Sequence, residues 1–131
     1  MNREIKFRAW DISKKMMGEV NWLCPRSDGI FKCRGWFGDE DRELIESQFN
    51  IMQYTGLKDK NGVEIYEGDI VRSGKEYNYY TGLNSEIYGG RLYEIKNNGW
   101  RFYIEPHSLY DIDFKDLEVI GNIYENPKLI S

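Results

Sequence analysis

Hydrophobic and polar residues alternate along much of the chain with the two-residue period of half-buried β-strands. Residues 5–9 alternate in this way, and a second extended stretch, residues 16–23, follows a polar turn at residues 11–15. The two stretches predict an N-terminal β-hairpin, and the weaker alternation of residues 29–37 predicts a third strand.

Residues 39–47 break this alternation and predict a short helix. The segment begins with three consecutive acidic residues, and acidic side chains stabilise the positive end of a helix dipole. Leu44 and Ile45 are adjacent apolar residues that such a helix could turn towards a core. Because an isolated helix of this length is unstable in water, packing would have to hold it in place.

The remainder of the chain predicts several further strands separated by glycine-containing turns. The predicted strands are residues 51–55, 63–66, 70–72, 92–96, 100–104 and 117–124. Asn61-Gly62 and Asn98-Gly99 are strong turn signals, and residues 73–90 predict a long loop with at most a ragged strand.

These elements predict a mainly β fold with some α+β character and largely antiparallel strands. Residues 1–50 would form a subdomain with the β-hairpin and the short helix. Residues 51–131 would form a small, curled, SH3-like and partly open β-barrel, because glycine corners followed by β-branched residues bend a sheet.

The composition of the 131 residues is that of a globular protein, with 40% hydrophobic and 31% charged residues. No apolar run approaches the roughly 18 residues that would suggest a membrane span. Charges interrupt the first 15 residues, which therefore lack the apolar centre of a signal peptide. We expect a cytoplasmic protein with no membrane partner.

The net charge of −4 is unevenly distributed, because residues 1–36 hold eight Lys and Arg against four Asp and Glu. An acidic chain disfavours non-specific binding of nucleic acid, which depends on neutralising phosphates. The basic segment also contains Trp10, Trp22 and Trp36, and cations interleaved with aromatic rings can hold single strands. Nucleic acid is therefore an unlikely partner that the sequence does not exclude.

The familiar catalytic and metal-binding patterns are missing from the sequence. Cys24, Cys33 and His107 match no zinc spacing, and in a reducing compartment the two cysteines are expected to be free thiols. No glycine pattern resembles a phosphate-binding loop, and the acidic clusters lack calcium-loop spacing. We expect no cofactor, no metal, no catalytic residue and no enzymatic activity.

A tyrosine-rich segment within residues 73–90 is the most suggestive candidate for binding. Tyrosine offers a large contact area with few rotatable bonds, and small polar neighbours let a loop adapt to a partner. The candidate protein-binding residues are Tyr77, Tyr79, Tyr80 and Tyr88.

Three blocks of sequence carry a resemblance to a known family. They are IKFRAWD at residues 5–11, QYTGLKDKNGVEIYEGDIV at residues 53–71 and EVIGNIYENPKLI at residues 118–130. In this order they resemble the YopX family of phage and prophage proteins, closely enough to suggest its founding member. The resemblance implies a mainly β fold, a temperate-phage setting and a bacterial host, and it brings no activity, cofactor or catalytic residue.

The central block also predicts a candidate surface. Its polar or partly polar residues Lys58, Asp59, Tyr66 and Asp69 are the ones that a partner could contact. Turn glycines and apolar residues explain most of the block by folding alone, so a structural role for these four residues is the favoured alternative.

The leading hypothesis is a non-enzymatic protein-interaction module that forms a homo-oligomer and binds a host or phage protein through the tyrosine-rich segment. The first alternative is a nucleic-acid-binding phage regulator, which a continuous positive face on residues 1–36 would favour. The second is a small-molecule enzyme with a pocket built from residues distant in sequence.

Overall fold

The protein is described here from a computed structural model. The structure describes residues 4–24, 31–74, 76–77, 84–85, 91–99, 101–104, 107–108 and 114–130. The chain divides into two compact units, Met1–Tyr54 and Thr55–Ser131. In the described residues, no helix has the length and apolar character needed to cross a membrane.

The first unit is an antiparallel sheet. Its strands are β1 (Phe7–Asp11), β2 (Met16–Cys24), β3 (Lys32–Phe37), β4 (Glu40–Ile45) and β5 (Phe49–Lys58), the last of which continues into the second unit. They lie in the order β4-β3-β2-β1-β5, and β6 (Glu64–Tyr66) is the next strand after β5. The predicted hairpin of β1 and β2 is confirmed, with Asp11 opposite Met16.

One face of this sheet carries the apolar core of the unit. Strand alternation brings the buried side chains of Ala9, Cys33, Phe37, Leu44 and Phe49 together. Phe37 lies directly over Gly18 on the neighbouring strand, where an added Cβ would be 2.4 Å from the phenyl ring. The core thus requires a residue without a side chain at that point of β2.

The predicted helix over residues 39–47 is wrong, because this segment forms β4 followed by a 3₁₀ turn at Glu46–Gln48. Gly38 adopts a left-handed conformation, with φ of 69°, in the turn from β3, and Phe37 pairs with Glu40 directly across it. Leu44 is buried while Glu43 and Ile45 are exposed, which is strand alternation. Pairing with β3 therefore overrides the local helical preference.

A β-bulge in β2 changes which side chains reach the outside. Val20 lies opposite Gly35 and Trp22 lies opposite Arg34, so Asn21 is an extra residue between the two pairs. The bulge reverses the alternation that Glu19 and Val20 begin. As a result Trp22 points away from the core, while Leu23 packs against it.

The second unit contains short strands in separate antiparallel sheets. They are β7 (Asp69–Ser73), β8 (Glu76–Tyr77), β9 (Asn84–Ser85), β10 (Leu92–Glu94), β11 (Lys96–Asn97), β12 (Phe102–Ile104), β13 (His107–Ser108) and β14 (Leu117–Asn122). Further 3₁₀ turns occur at Phe114–Asp116 and Pro127–Ile130. The sheet orders are β10-β7-β14, β11-β12-β13 and β8-β9.

The mainly β, antiparallel prediction is confirmed, whereas the sheets of the described residues do not close into the expected barrel. Several of the described strands span only two or three residues, which offers few backbone hydrogen bonds with which a sheet could close. The core of the second unit is a cluster of buried apolar residues: Ile65, Val71, Ile95, Phe102, Ile104 and Leu117.

Both Asn-Gly turns are confirmed. Gly62 and Gly99 have φ angles of 81° and 101°, which glycine adopts without steric strain. The Asn98 N–H donates to the Arg101 carbonyl at 3.2 Å and closes the turn between β11 and β12.

Candidate functional site

The tyrosine-rich segment lies almost entirely outside the described residues. Tyr79, Tyr80 and Tyr88 belong to the part of the chain for which no structure is described, and only the backbone of Tyr77 is placed, in β8. His107 is likewise described only by its backbone, in β13. The protein-binding assignment of the four tyrosines stays a prediction.

The family-motif residues are mostly buried, so the expectation of an exposed motif surface is wrong for three of the four. Asp59, Tyr66 and Asp69 are 5%, 8% and 1% exposed, and Lys58 alone lies on the surface, at the end of β5. The sequence could not separate these cases, because acidic turn residues can either bond the backbone or face solvent.

Asp59 organises its own turn and reaches a distant strand. Its Oδ1 accepts the N–H groups of Asn61 at 2.8 Å and Val63 at 2.9 Å. Its Oδ2 accepts the Val119 N–H of β14 at 2.8 Å. Burial disfavours the charged carboxylate, but these three bonds outweigh burial and hold the pKa of Asp59 below its usual value.

Asp69 and Thr55 fix neighbouring turns in a similar way. Asp69 Oδ2 accepts the Tyr66 N–H at 2.8 Å across the turn that contains Gly68. The Thr55 hydroxyl donates to the Ile65 carbonyl at 2.7 Å and accepts the Leu57 N–H at 3.1 Å. The buried polar atoms of the central block therefore bond backbone groups, and the block has a structural role.

A second buried carboxylate, Asp11, closes the β1–β2 turn of the first unit. Its Oδ1 accepts from the N–H and hydroxyl of Ser13 and from the N–H of Lys14, and its Oδ2 pairs with Arg42 on β4. Burial opposes ionisation, but the bonds from Lys14 and Ser13 and the charge of Arg42 lower the pKa of Asp11. The pair links β4 to the turn.

The two cysteine thiols differ in burial, since Cys33 is buried and Cys24 is half-buried. Cys33 lies opposite Leu23 and Cys24 lies opposite Lys32, so the two cysteine side chains point to opposite faces of the sheet. Both are free thiols. Burial, together with the nearby Asp11 carboxylate, raises the pKa of Cys33 to about 11, which keeps the thiol protonated at neutral pH. Among the described residues no cluster of three His, Cys, Asp or Glu could hold a metal ion.

The most distinctive exposed feature of the described residues is the outer face of β2, β3 and β4, here called the outer face. Trp36 is 51% exposed, Trp22 is 44% exposed and Ile45 is 39% exposed. Trp22 lies opposite Arg34, two residues from Trp36 on β3, so the two indoles are diagonal neighbours across adjacent strands.

Charges of both signs surround these indoles. Trp36 lies between Glu19 on β2 and Asp41 on β4. Arg34 donates to both carboxylate oxygens of Asp41, at 3.1 and 2.8 Å, and lies opposite Glu43. These contacts raise the pKa of Arg34 and lower the pKa of Asp41, so both groups are firmly ionised.

The outer face is therefore amphipathic and does not form a continuous positive surface. Its bases Lys32 and Arg34 alternate with the carboxylates of Glu19, Asp41 and Glu43. The sequence marked the tryptophans as candidates. It did not show that Asp41 and Glu43 lie beside them, because residues 39–47 were predicted to be helical.

Comparisons with known proteins agree with this architecture. The family model described as YopX protein matches residues 6–131. The crystal structure of protein EF1440 from Enterococcus faecalis is 32% identical with a TM-score of 0.67, covering 99% of this chain and 100% of that chain. No curated protein matches significantly.

The crystal structure of protein yopX from Bacillus subtilis is also similar, with 18% identity and a TM-score of 0.64. It covers 96% of this chain and 98% of that chain. At this identity the likeness shows a shared fold, and the present chain is a different protein from the Bacillus one. The suggestion that the chain is the founding member is therefore wrong.

Proposed function

The chain belongs to the YopX protein family, and we propose that it is a non-enzymatic protein-interaction module that binds another protein through its outer face. The observation that carries this proposal is the pair of exposed indoles, Trp22 and Trp36, on one face of the N-terminal sheet. Tryptophan is enriched among the residues that dominate binding energy at protein interfaces.

The charge pattern favours a protein as the occupant. Interfaces between proteins combine an apolar centre with a polar rim of both charge signs. Here Arg34 and Asp41 flank the indoles as an ion pair. A phosphate backbone would approach Glu19 and Asp41 on either side of Trp36, and like charges repel it. The proposal places this interaction in a bacterial host cell, in keeping with the phage and prophage setting of the resemblance.

The test compares variants in a purification of tagged protein from bacteria in which the prophage is induced. In the Trp22→Ser/Trp36→Ser variant we expect a specific co-eluting protein to be lost, since two large contact surfaces are removed. The matched control is Val63→Ser/Leu129→Ser, which changes residues of similar exposure in the second unit, at 46% and 41%. The control should retain the partner.

Three results would contradict the proposal or change its site. Retention of the co-eluting protein by the tryptophan variant removes the outer face from the interaction. If the co-eluting protein is lost only when residues 76–88 are deleted, the binding site lies in the tyrosine-rich segment. Salt-dependent binding of a single- or double-stranded nucleic-acid probe, abolished by the tryptophan variant, replaces the protein partner with nucleic acid.

A further inference from the structure

The outer edge of β4 lies beside the outer face, and hydrogen bonds elsewhere in the sheet determine which backbone groups of β4 point out from that edge. The Tyr54 N–H donates to the Lys6 carbonyl at 2.9 Å, and the Ile12 N–H donates to the Gln48 carbonyl at 3.0 Å. Even-numbered residues of β1 therefore bond to β5. Because backbone groups alternate in direction along a strand, odd-numbered residues of β1 bond to β2.

The same alternation, followed through the register of β2 and β3, determines the orientation of β4. Cys33, Gly35 and Phe37 bond outward from β3 to Leu44, Arg42 and Glu40. The intervening residues Asp41 and Glu43 must then direct their N–H and C=O groups away from the sheet. The neighbouring Ile45 N–H agrees with this direction, because it is bonded to Gln48 Oε1 at 3.0 Å rather than to β3.

The backbone groups of Asp41 and Glu43 at this edge have no partner within the part of the chain that the structure describes. The edge of β14 in the second unit is different. There, the Lys60 N–H donates to the Leu117 carbonyl at 3.0 Å, and Asp59 Oδ2 accepts the Val119 N–H. The β14 edge is thus covered by other residues of its unit, whereas none of the described residues covers the β4 edge.

The β4 edge is poorly suited to pairing with a second copy of itself. In a two-fold antiparallel ladder, the outward residues 41, 43 and 45 of one copy pair with the same positions of the other. Every register that engages both acidic positions places Asp41 or Glu43 opposite another carboxylate. Like charges directly opposite each other destabilise strand pairing.

From this geometry we infer that the β4 edge binds an extended basic segment of another protein by strand addition. This inference rests on the proposed function and specifies the mode of binding. The partner strand would bond to the N–H and C=O groups of Asp41 and Glu43, as peptides add to exposed sheet edges elsewhere. Its side chains opposite these residues would lie on the outer face, beside the two carboxylates.

The register defines the sequence of the partner segment. An antiparallel strand meets Ile45 first, then Glu43 and then Asp41, so it carries an apolar residue followed by basic residues two and four positions later. A glycine-flanked peptide with the order Val-Thr-Lys-Thr-Arg is a suitable probe. Its matched controls are Val-Thr-Glu-Thr-Glu and Val-Thr-Thr-Lys-Arg, the latter with the same composition and adjacent bases.

The direct readout is amide hydrogen exchange of the intact protein with and without the probe. We expect exchange at Asp41 and Glu43 to slow, while Arg42 and Leu44 change little because they already bond to β3. The acidic control should bind about tenfold more weakly or not at all, since it sets like charges together. Binding of the probe without slowed exchange at Asp41 and Glu43 would overturn strand addition.

Two substitutions of Glu43 separate the contribution of its backbone N–H to probe affinity from the contribution of its carboxylate charge. Glu43→Pro removes the outward N–H without removing a bond to β3, so the sheet should persist while probe affinity falls about tenfold. Glu43→Gln keeps the N–H and loses the charge, and affinity should fall about threefold. Equal affinities for wild type and a folded Glu43→Pro variant contradict the inference, and Asp41→Pro repeats this test if the first variant does not fold.

The inference and the proposed function fail separately. If the tryptophan variant loses its partner but the probe does not bind, the outer face is retained and strand addition is rejected. If the probe binds as expected and the tryptophan variant keeps its partner, the β4 edge remains a strand-addition site, and the outer face is rejected as the binding site of that partner. A concentration-dependent dimer in sedimentation that Glu43→Pro dissociates would identify a second copy as the occupant and overturn the basic segment.

Discussion

Replacing Asp59 tests the conclusion that the central block is structural. Asp59→Ala removes the acceptor of three backbone N–H groups, and bonds to charged acceptors contribute about 1.5–3 kcal/mol each. Asn61 and Val63 are exposed, so water replaces much of what they lose. The half-buried Val119 N–H is compensated less well. We therefore expect the free energy of unfolding of the second unit to fall by about 2–4 kcal/mol.

The assay is urea denaturation followed by circular dichroism, with amide exchange at Val119 as the local measurement. Asp59→Asn retains one oxygen for the turn but directs an amide group at the Val119 N–H, so it should lie between wild type and Asp59→Ala. Asp41→Ala, which removes a surface ion pair with Arg34 in the first unit, is the control and should lower stability only slightly, by much less than Asp59→Ala. Unchanged exchange at Val119 and a loss for Asp59→Ala below about 0.5 kcal/mol would refute the reasoning.

The same carboxylate predicts an acid-dependent loss of stability. Because the folded-state pKa of Asp59 is lowered, its contribution is complete above the unfolded-state value of about 3.9 and is lost as pH falls through the folded pKa. The stability difference between wild type and Asp59→Asn should therefore shrink in acid. A difference that stays constant from pH 7 to the acid transition contradicts an ionised role.

Two further predictions concern the first unit. Gly35→Ala should destabilise the first unit by about 2 kcal/mol or more, because the new Cβ would lie 2.1 Å from the backbone oxygen of Glu19. The measurement is thermal unfolding, and the control is Gly74→Ala, whose Cβ would have an ordinary contact of 3.6 Å. Cys33 is buried and protonated, so it should resist alkylation at neutral pH until the protein unfolds, whereas half-buried Cys24 should react first. A mass-spectrometric time course measures both reactions, and equal alkylation rates of the two cysteines in the folded protein would contradict this prediction.

The sequence predicted the elements whose local signals agree with their tertiary surroundings. The β1–β2 hairpin follows from alternation, and Gly62 and Gly99 mark turns because their left-handed backbone favours glycine. Alternation could not identify β4, because its acidic residues resemble a helix start and its strand character comes from pairing with β3. Local acidic signals do not show where a partner strand will lie.

The candidate site was predictable only in part. Trp22 and Trp36 could be selected as aromatic residues among bases, but their common face depends on β3 and on the bulge. The buried state of Asp59 depends on Val119, which lies 60 positions away in sequence. No local pattern contains that contact, and this explains why a motif expected at the surface is found inside.

The bulge at Asn21 has a consequence for how the outer face is encoded. Trp22 points outward because the backbone accommodates Asn21 as an extra residue between Val20 and Trp22. The outer face therefore depends on the bulged backbone at Asn21 as well as on residue type. Deletion of Asn21 would restore regular pairing and keep Trp22 opposite Arg34 and Leu23 opposite Cys33, whereas regular pairing of the full-length strand without a bulge would exchange Trp22 and Leu23 between the two faces.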